Sequence, residues 1–223
     1  MKKINVLIID DHPLIAESFS LALHKIENTT QNYQFAIQKM YTLDDAYELI
    51  FESKQTVFDL FFIDIKMPPS KNKKLLSGED LAIEIKKSTP SSKIIIATTY
   101  NDNYRLYNLL NSIDPEGLLV KNDLKPDVLI SLINEVLQDN IAYSKTVKLL
   151  MRKLISNDIT IDRIDRQILY YLSIGERMRN LPNLIPLSLA GIEKRKRNLK
   201  EIFNVEGRDD RLLIEIAKDK GYI

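Results

Sequence analysis

The chain has no cysteine and no tryptophan. Without cysteine there is no disulfide and no thiolate metal site, a composition that suits a reducing cytoplasm. No apolar run approaches the ~20 residues needed to cross a bilayer. The start, MKKINVLIIDD, meets Asp10 and Asp11 too early to form the apolar core of a signal peptide. A dominant charge is missing too. The 32 basic and 31 acidic residues leave a net charge of +1, so any nucleic-acid footprint has to be local. At 223 residues the chain suits one or two domains.

What the chain does have is a series of short apolar runs, each closed by a polar residue. NVLII ends in Asp10 and Asp11, LFFI in Asp64, KIIIA in Thr98 and GLLV in Lys121. Runs of this length read as buried parallel strands. Between them lie helical spacings. One follows His12 and Pro13, with Pro13 suited to a first helical turn. Others cover Leu43–Ser53, Gly78–Lys87, a stretch capped by Asn101 or Asp102, and a stretch opened by Pro126. Tyr33–Tyr41 supplies a further strand, and residues 70–77 read as a polar, mobile loop. Five β–α units in sequence predict a doubly wound, five-stranded parallel sheet of α/β class.

Ligand chemistry in such sheets sits at the carboxyl ends of the strands. If the four runs are neighbours, Asp10, Asp11, Asp64, Thr98 and Lys121 share one edge. Phosphoryl transfer to a carboxylate needs a nucleophile, a divalent cation and donors for the phosphate oxygens. Mg²⁺ favours carboxylates, water and a backbone oxygen. The ordered set (two acids, then D-x-x-M-P at Asp64–Pro68, then Thr, then Lys) resembles the receiver domain of two-component response regulators, closest to the NarL/FixJ type, over roughly residues 1–142. That resemblance implies Asp64 as phosphoacceptor. It implies Asp11, Asp64 and the backbone carbonyl of Lys66 as Mg²⁺ ligands, with Asp10 acting through water. Thr98 and Lys121 become the switch residues. The sequence departs from the common pattern at Thr99, Leu118 and Asn122, and in a longer loop after Pro69. Leu118 stands where an aromatic switch partner is usual.

Beyond residue 142 the pattern turns helical: a basic linker helix over 143–158, then a smaller all-α domain over 159–223. Asp162 and Ser188 are natural N-caps there. Residues 157–223 carry 13 basic and 11 acidic residues, yet Glu193–Lys200 holds five basic residues and one acid. On a helix Ile192, Leu199 and Phe203 share one face, leaving Lys194, Arg195 and Arg197 to project elsewhere. A solvated charged face is the plain alternative. Residues 161–205 resemble the LuxR-type helix-turn-helix. That match implies base reading by Glu193, Lys194 and Arg197, and phosphate contact by Arg195 and Lys200. Pro182 and Pro186 imply a short scaffold helix starting near Asn180.

The expected function is a non-enzymatic DNA-binding transcription regulator in a phosphorelay, phosphorylated on Asp64 by a partner histidine kinase. It would need Mg²⁺, form a homodimer when phosphorylated, bind no membrane and act in the cytoplasm. One alternative keeps the receiver but makes the helical tail a protein-docking module. Another is an aspartate-nucleophile phosphohydrolase, which Lys66 disfavours because a second acid normally stands at that position.

Overall fold

The computed structural model describes residues 1–53, 56–71, 74–155 and 161–223. They form two compact units: Met1–Asn101 with Asn108–Lys148, and Asp102–Tyr107 with Leu149–Ile223.

The first unit is built on a parallel sheet in the order β2-β1-β3-β4-β5-β6. Its strands are β1 (Lys2–Ile9), β2 (Tyr33–Met40), β3 (Leu60–Asp64), β4 (Lys93–Thr98), β5 (Gly117–Val120) and β6 (Ala142–Tyr143). The helices between the strands are α1 (Pro13–Thr30), α2 (Leu43–Tyr47), α3 (Gly78–Ser88), α4 (Asn103–Ile113), whose residues up to Tyr107 belong to the second unit, and α5 (Pro126–Leu137). α1 packs with α5, and α2 with α3. β3 is buried at all five positions, as a run covered on both faces must be. Val6, Ile8, Leu60, Phe62 and Ile95 join Phe19, Leu23 and Ile133 in one core.

The sheet has six strands, not the five expected. β6 pairs in parallel with β5, Gly117 opposite Ala142 and Leu118 opposite Tyr143. The Ala142 amide donates to Glu116 O and the Ser144 amide to Leu118 O. Two residues are too few to show a period of two, so the strand exists only through these backbone bonds. It also carries the sheet to Tyr143, past residue 142, and the next helix, α6 (Lys145–Ile155), begins two residues later. Residues 156–160, which include the end of the expected linker and the start of the expected second domain, lie outside the described residues.

Two other expectations need refining. The helix expected over Leu43–Ser53 is α-helical only to Tyr47 and continues as a π-helical turn over Glu48–Glu52. The polar loop after Pro69 is pinned at two described points. Ser70 and Leu75 are both buried, and each backbone amide finds a partner in the other residue.

The second unit contains α7 (Arg163–Ser173), a 3-10 turn (Met178–Asn183), α8 (Leu189–Ile202) and α9 (Asp210–Asp219). Asp162 caps α7, Ser188 caps α8 and Asp209 caps α9 by accepting backbone amides. The scaffold segment expected near Asn180 is 3-10 rather than α, and begins at Met178. Pro182 inside it lacks the N–H that α-helical bonding would use. Ile168, Leu169, Leu181, Ile192, Leu199 and Phe203 form the core of this unit.

Candidate functional site

Strand register builds the acidic site. Ile9 stands opposite Ile63 across β1 and β3, so Asp10 emerges beside Asp64. Asp64 faces Ala97 of β4, and Thr98 faces Val120 of β5, so Lys121 leaves the sheet next to them. The strand order reverses between β1 and β3, and that reversal opens the crevice in which the acids sit.

Asp10, Asp11, His12 and Asp64 each bring a ligand atom within 4.8 Å of the others. Lys121 Nζ lies 2.7 Å from Asp64 Oδ2 and 2.7 Å from Asp10 Oδ2. Its side chain is 7% exposed and those of both acids 1%. The Asp64 contact is an aligned hydrogen bond. The Asp10 contact is an ion pair at the same distance, and Asp11 Oδ1 accepts no hydrogen bond among the described residues. Asp64 Oδ1 accepts from the Lys66 amide at 3.0 Å, and Asp10 Oδ1 from the His12 amide at 3.0 Å. Asp11 is the more exposed acid, with Oδ1 2.6 Å from His12 Nδ1.

Three carboxylates face one ammonium, which leaves negative charge in excess. Burial raises the Asp10 pKa above the usual carboxylate value. Lys121 and the His12 amide oppose that shift, and the Asp64 charge adds to it. An excess of buried negative charge with spare acceptor atoms suits a hard divalent cation. His12, a nitrogen donor at an exposed position, does not belong to such a set.

Thr98 is fully buried, and its hydroxyl accepts from the Tyr100 amide at 3.0 Å. Among the described residues no hydrogen bond joins it to the acids. Leu118 is buried in β5. Sequence reasoning missed the part played by Gly78. A Cβ there would lie 1.9 Å from the Asp64 carbonyl oxygen, and the Gly78 amide donates to Ile65 O. Helix α3 therefore starts against the backbone of the Asp64 strand end, which only glycine permits. The nearby Asp80 could have hinted at this tight start, because it closes a capping box with Ser77.

On α8, Ile192 and Leu199 are fully buried, while Glu193, Lys194 and Arg197 are exposed. Among the described residues Lys194 and Arg197 have no ion-pair partner. The other basic residues do. Arg195 Nη1 lies 2.6 Å from Asp162 Oδ2 and 2.9 Å from Asp165 Oδ1. Lys200 Nζ lies 2.7 Å from Asp210 Oδ1 and donates to Arg208 O. Lys196 Nζ lies 2.8 Å from Asp210 Oδ2.

A parallel α/β sheet with acids and a buried lysine gathered at its switch point defines a class of protein that works from its strand ends. Within that class the chain belongs to the response regulator receiver domain family, whose pattern matches residues 6–134. The nitrate/nitrite response regulator protein homolog of Haemophilus influenzae is 25% identical over 219 residues, spanning 92% of this chain and 93% of that protein. The oxygen regulatory protein NreC of Staphylococcus epidermidis is 22% identical, spanning 96% and 97%. In fold the chain is similar to RcsB from Salmonella enterica serovar Typhimurium, solved bound to promoter P1flhDC with the phosphomimetic BeF3-. That match has a TM-score of 0.62 at 20% identity, over 96% of this chain and 98% of that one. These relatives are named as regulators, not enzymes. No helix among the described residues is long and apolar enough to cross a membrane.

Proposed function

We propose that this chain is a DNA-binding transcription regulator switched by Mg²⁺-dependent phosphorylation of Asp64, with a partner histidine kinase as phosphodonor. The observation that carries the reading is the convergence of Asp10, Asp11, Asp64 and Lys121 on one sheet edge. Asp64 attacks the phosphorus of a phosphohistidine. A P–O bond forms as the P–N bond breaks, and the imidazole leaves. Lys121 already bridges Asp64 and Asp10. When an Asp64 oxygen becomes part of the acyl phosphate, the ammonium passes to a phosphoryl oxygen while keeping Asp10. Thr98 gives up the Tyr100 amide and turns its hydroxyl to another phosphoryl oxygen. Asp11, Asp64 and the Lys66 carbonyl would hold Mg²⁺, with Asp10 reaching it through water; the ion would neutralise charge on the incoming phosphoryl group.

The helical unit is the DNA reader. Glu193, Lys194 and Arg197 take the base edges, and Arg195 and Lys200 reach phosphates only by leaving the carboxylates that hold them. The phosphorylated chain acts as a homodimer, as the named relatives' setting suggests: one RcsB structure is described as two dimers bound to two parallel DNAs. The functional division is a receiver through the last strand of the sheet, a linker helix, and a DNA-binding domain from about residue 159. The site of action is the cytoplasm. The phosphohydrolase reading falls, because Lys66 replaces the second acid and the relatives are regulators.

Two measurements test this. A small phosphodonor with Mg²⁺ should label the wild type stoichiometrically and leave Asp64→Asn unlabelled; full labelling of the variant would show that another residue is the acceptor. Duplex selection with and without beryllofluoride should recover one preferred sequence, more tightly bound with the mimic. Labelling without any duplex binding would make the helical unit a docking module.

A further inference from the structure

The five basic residues of α8 fall into an unpaired and a paired set, and Arg195 belongs to the second, with Asp162 and Asp165 as its partners. Lys194 and Arg197 are exposed and, among the described residues, unpaired. Lys196 and Lys200 lie one turn apart and share a single carboxylate: Asp210 Oδ2 lies 2.8 Å from Lys196 Nζ, and Oδ1 2.7 Å from Lys200 Nζ. Their side chains are only 20% and 17% exposed. Asp210 is the first residue of α9, behind the Asp209 cap, where the helix end favours an acid. A carboxylate that offers one oxygen to each of two lysines occupies the position a DNA phosphate would take. Burial acts to raise the Asp210 pKa, but the hydrogen bonds and charges of the two lysines overcome it and leave it below the usual value. The acid is therefore ionised, and the cage closed, at neutral pH.

We infer that Asp210 is a built-in phosphate surrogate that occupies Lys196 and Lys200, weakens sequence-independent DNA binding, and so leaves discrimination to Lys194 and Arg197. This rests on the reading of α8 as a DNA-binding helix. Non-specific affinity grows with each phosphate a cation neutralises, and the salt slope grows with it. A lysine that must first leave a carboxylate releases fewer counterions when it reaches a phosphate, so it adds less to both.

The test uses the full-length protein and fluorescently labelled duplexes, one selected and one scrambled, over a range of salt. Asp210→Asn should raise affinity for the scrambled duplex several-fold. It should steepen the salt slope by up to about two units, one for each lysine released. The ratio of selected to scrambled affinity should fall. Asp219→Asn removes the same charge from the far end of α9, where it faces neither lysine, and should change the slope little. Lys200→Ala should alter the slope by well under one unit in the wild type but by about one in the Asp210→Asn background. Equal effects of Asp210→Asn and Asp219→Asn would overturn the inference, as would a full-unit loss for Lys200→Ala in the wild type. Should Asp210→Asn misfold by circular dichroism, Lys200→Ala in the wild type decides alone. A wild type that binds no duplex at any salt fails the DNA-binding reading, and the surrogate role falls with it. A wild type that binds duplex but shows none of these differences fails the surrogate role only.

Discussion

The acid pocket and the basic helix each gather charge of one sign, and they balance it in different ways. In the pocket one buried lysine serves two buried acids, at 2.7 Å from each. On α8 the partners are acids from neighbouring helices, on partly exposed side chains that water and salt reach. Buried pairs of the first kind are costly to break, because removing one partner strands a charge without water. Pairs of the second kind cost less to part, because water and salt take over some of each charge once it is released. The difference suits a switch whose chemistry needs a preset geometry and a binding surface whose contacts must be made and released.

The sharpest way to break this comparison is Lys121→Met. It should destabilise the Mg²⁺-free protein by about 3–5 kcal/mol in urea unfolding, the range for a buried pair that loses one partner. Millimolar Mg²⁺ should recover part of that loss, since a ligand that binds only the folded state stabilises it. A variant as stable as wild type without Mg²⁺ would show that the pocket tolerates its excess charge unaided.

Gly78→Ala should come next, at the upper end of the ~1–3 kcal/mol of an overpacked site. The new methyl meets the Asp64 carbonyl, which is backbone and cannot swing away. The same denaturation assay reads it. A slower rate of phosphorylation should accompany the loss, because the strand end that carries Asp64, the proposed acceptor, has to shift.

On the helix, Arg197→Ala should remove ~1–3 kcal/mol of discrimination between selected and scrambled duplexes while barely moving thermal stability, since no partner is left behind. Equal losses on both duplexes would make Arg197 a phosphate contact.

The smallest effect is the response to acid, where Asp10 should separate from Asp162 and Asp210, while Asp165, raised by burial despite Arg195, should follow Asp10. Burial holds Asp10 above the ordinary value of 3.8 despite Lys121. Burial also acts to raise Asp162 and Asp210, but backbone and side-chain hydrogen bonds, with Arg195 and the two lysines, bring both below 3.8. A raised carboxyl lowers stability once pH exceeds its unfolded value. A lowered one adds stability above the unfolded value and loses it as pH falls through the folded value. Acidification toward pH 3.8 should therefore relieve Asp10 first, while Asp162 and Asp210 stay ionised and release their cations only below that point. Carboxyl NMR titration of the Mg²⁺-free protein checks the order; a midpoint for Asp10 below those of the other two would reverse it.

The sequence alone determined most of the pocket. Apolar runs ended by Asp10, Asp64, Thr98 and Lys121 become neighbours as soon as the strands are parallel, because the carboxyl ends of a parallel sheet lie at one edge. The caps at Asp162 and Ser188, and the buried face of Ile192 and Leu199, were legible for a similar reason: each depends on a local hydrogen bond or a helical period. Tertiary structure decided the rest. β6 exists through backbone bonds to β5 that two residues cannot advertise. The need for glycine at 78 comes from a carbonyl 14 positions earlier in the chain. Which cations of α8 are caged depends on where Asp162, Asp165 and Asp210 arrive when α7 and α9 pack, and a charge has no period that names its partner. Contacts within a strand or a helical turn follow from spacing along the chain, whereas contacts between elements depend on the angle and depth at which they meet, which only the packed core sets.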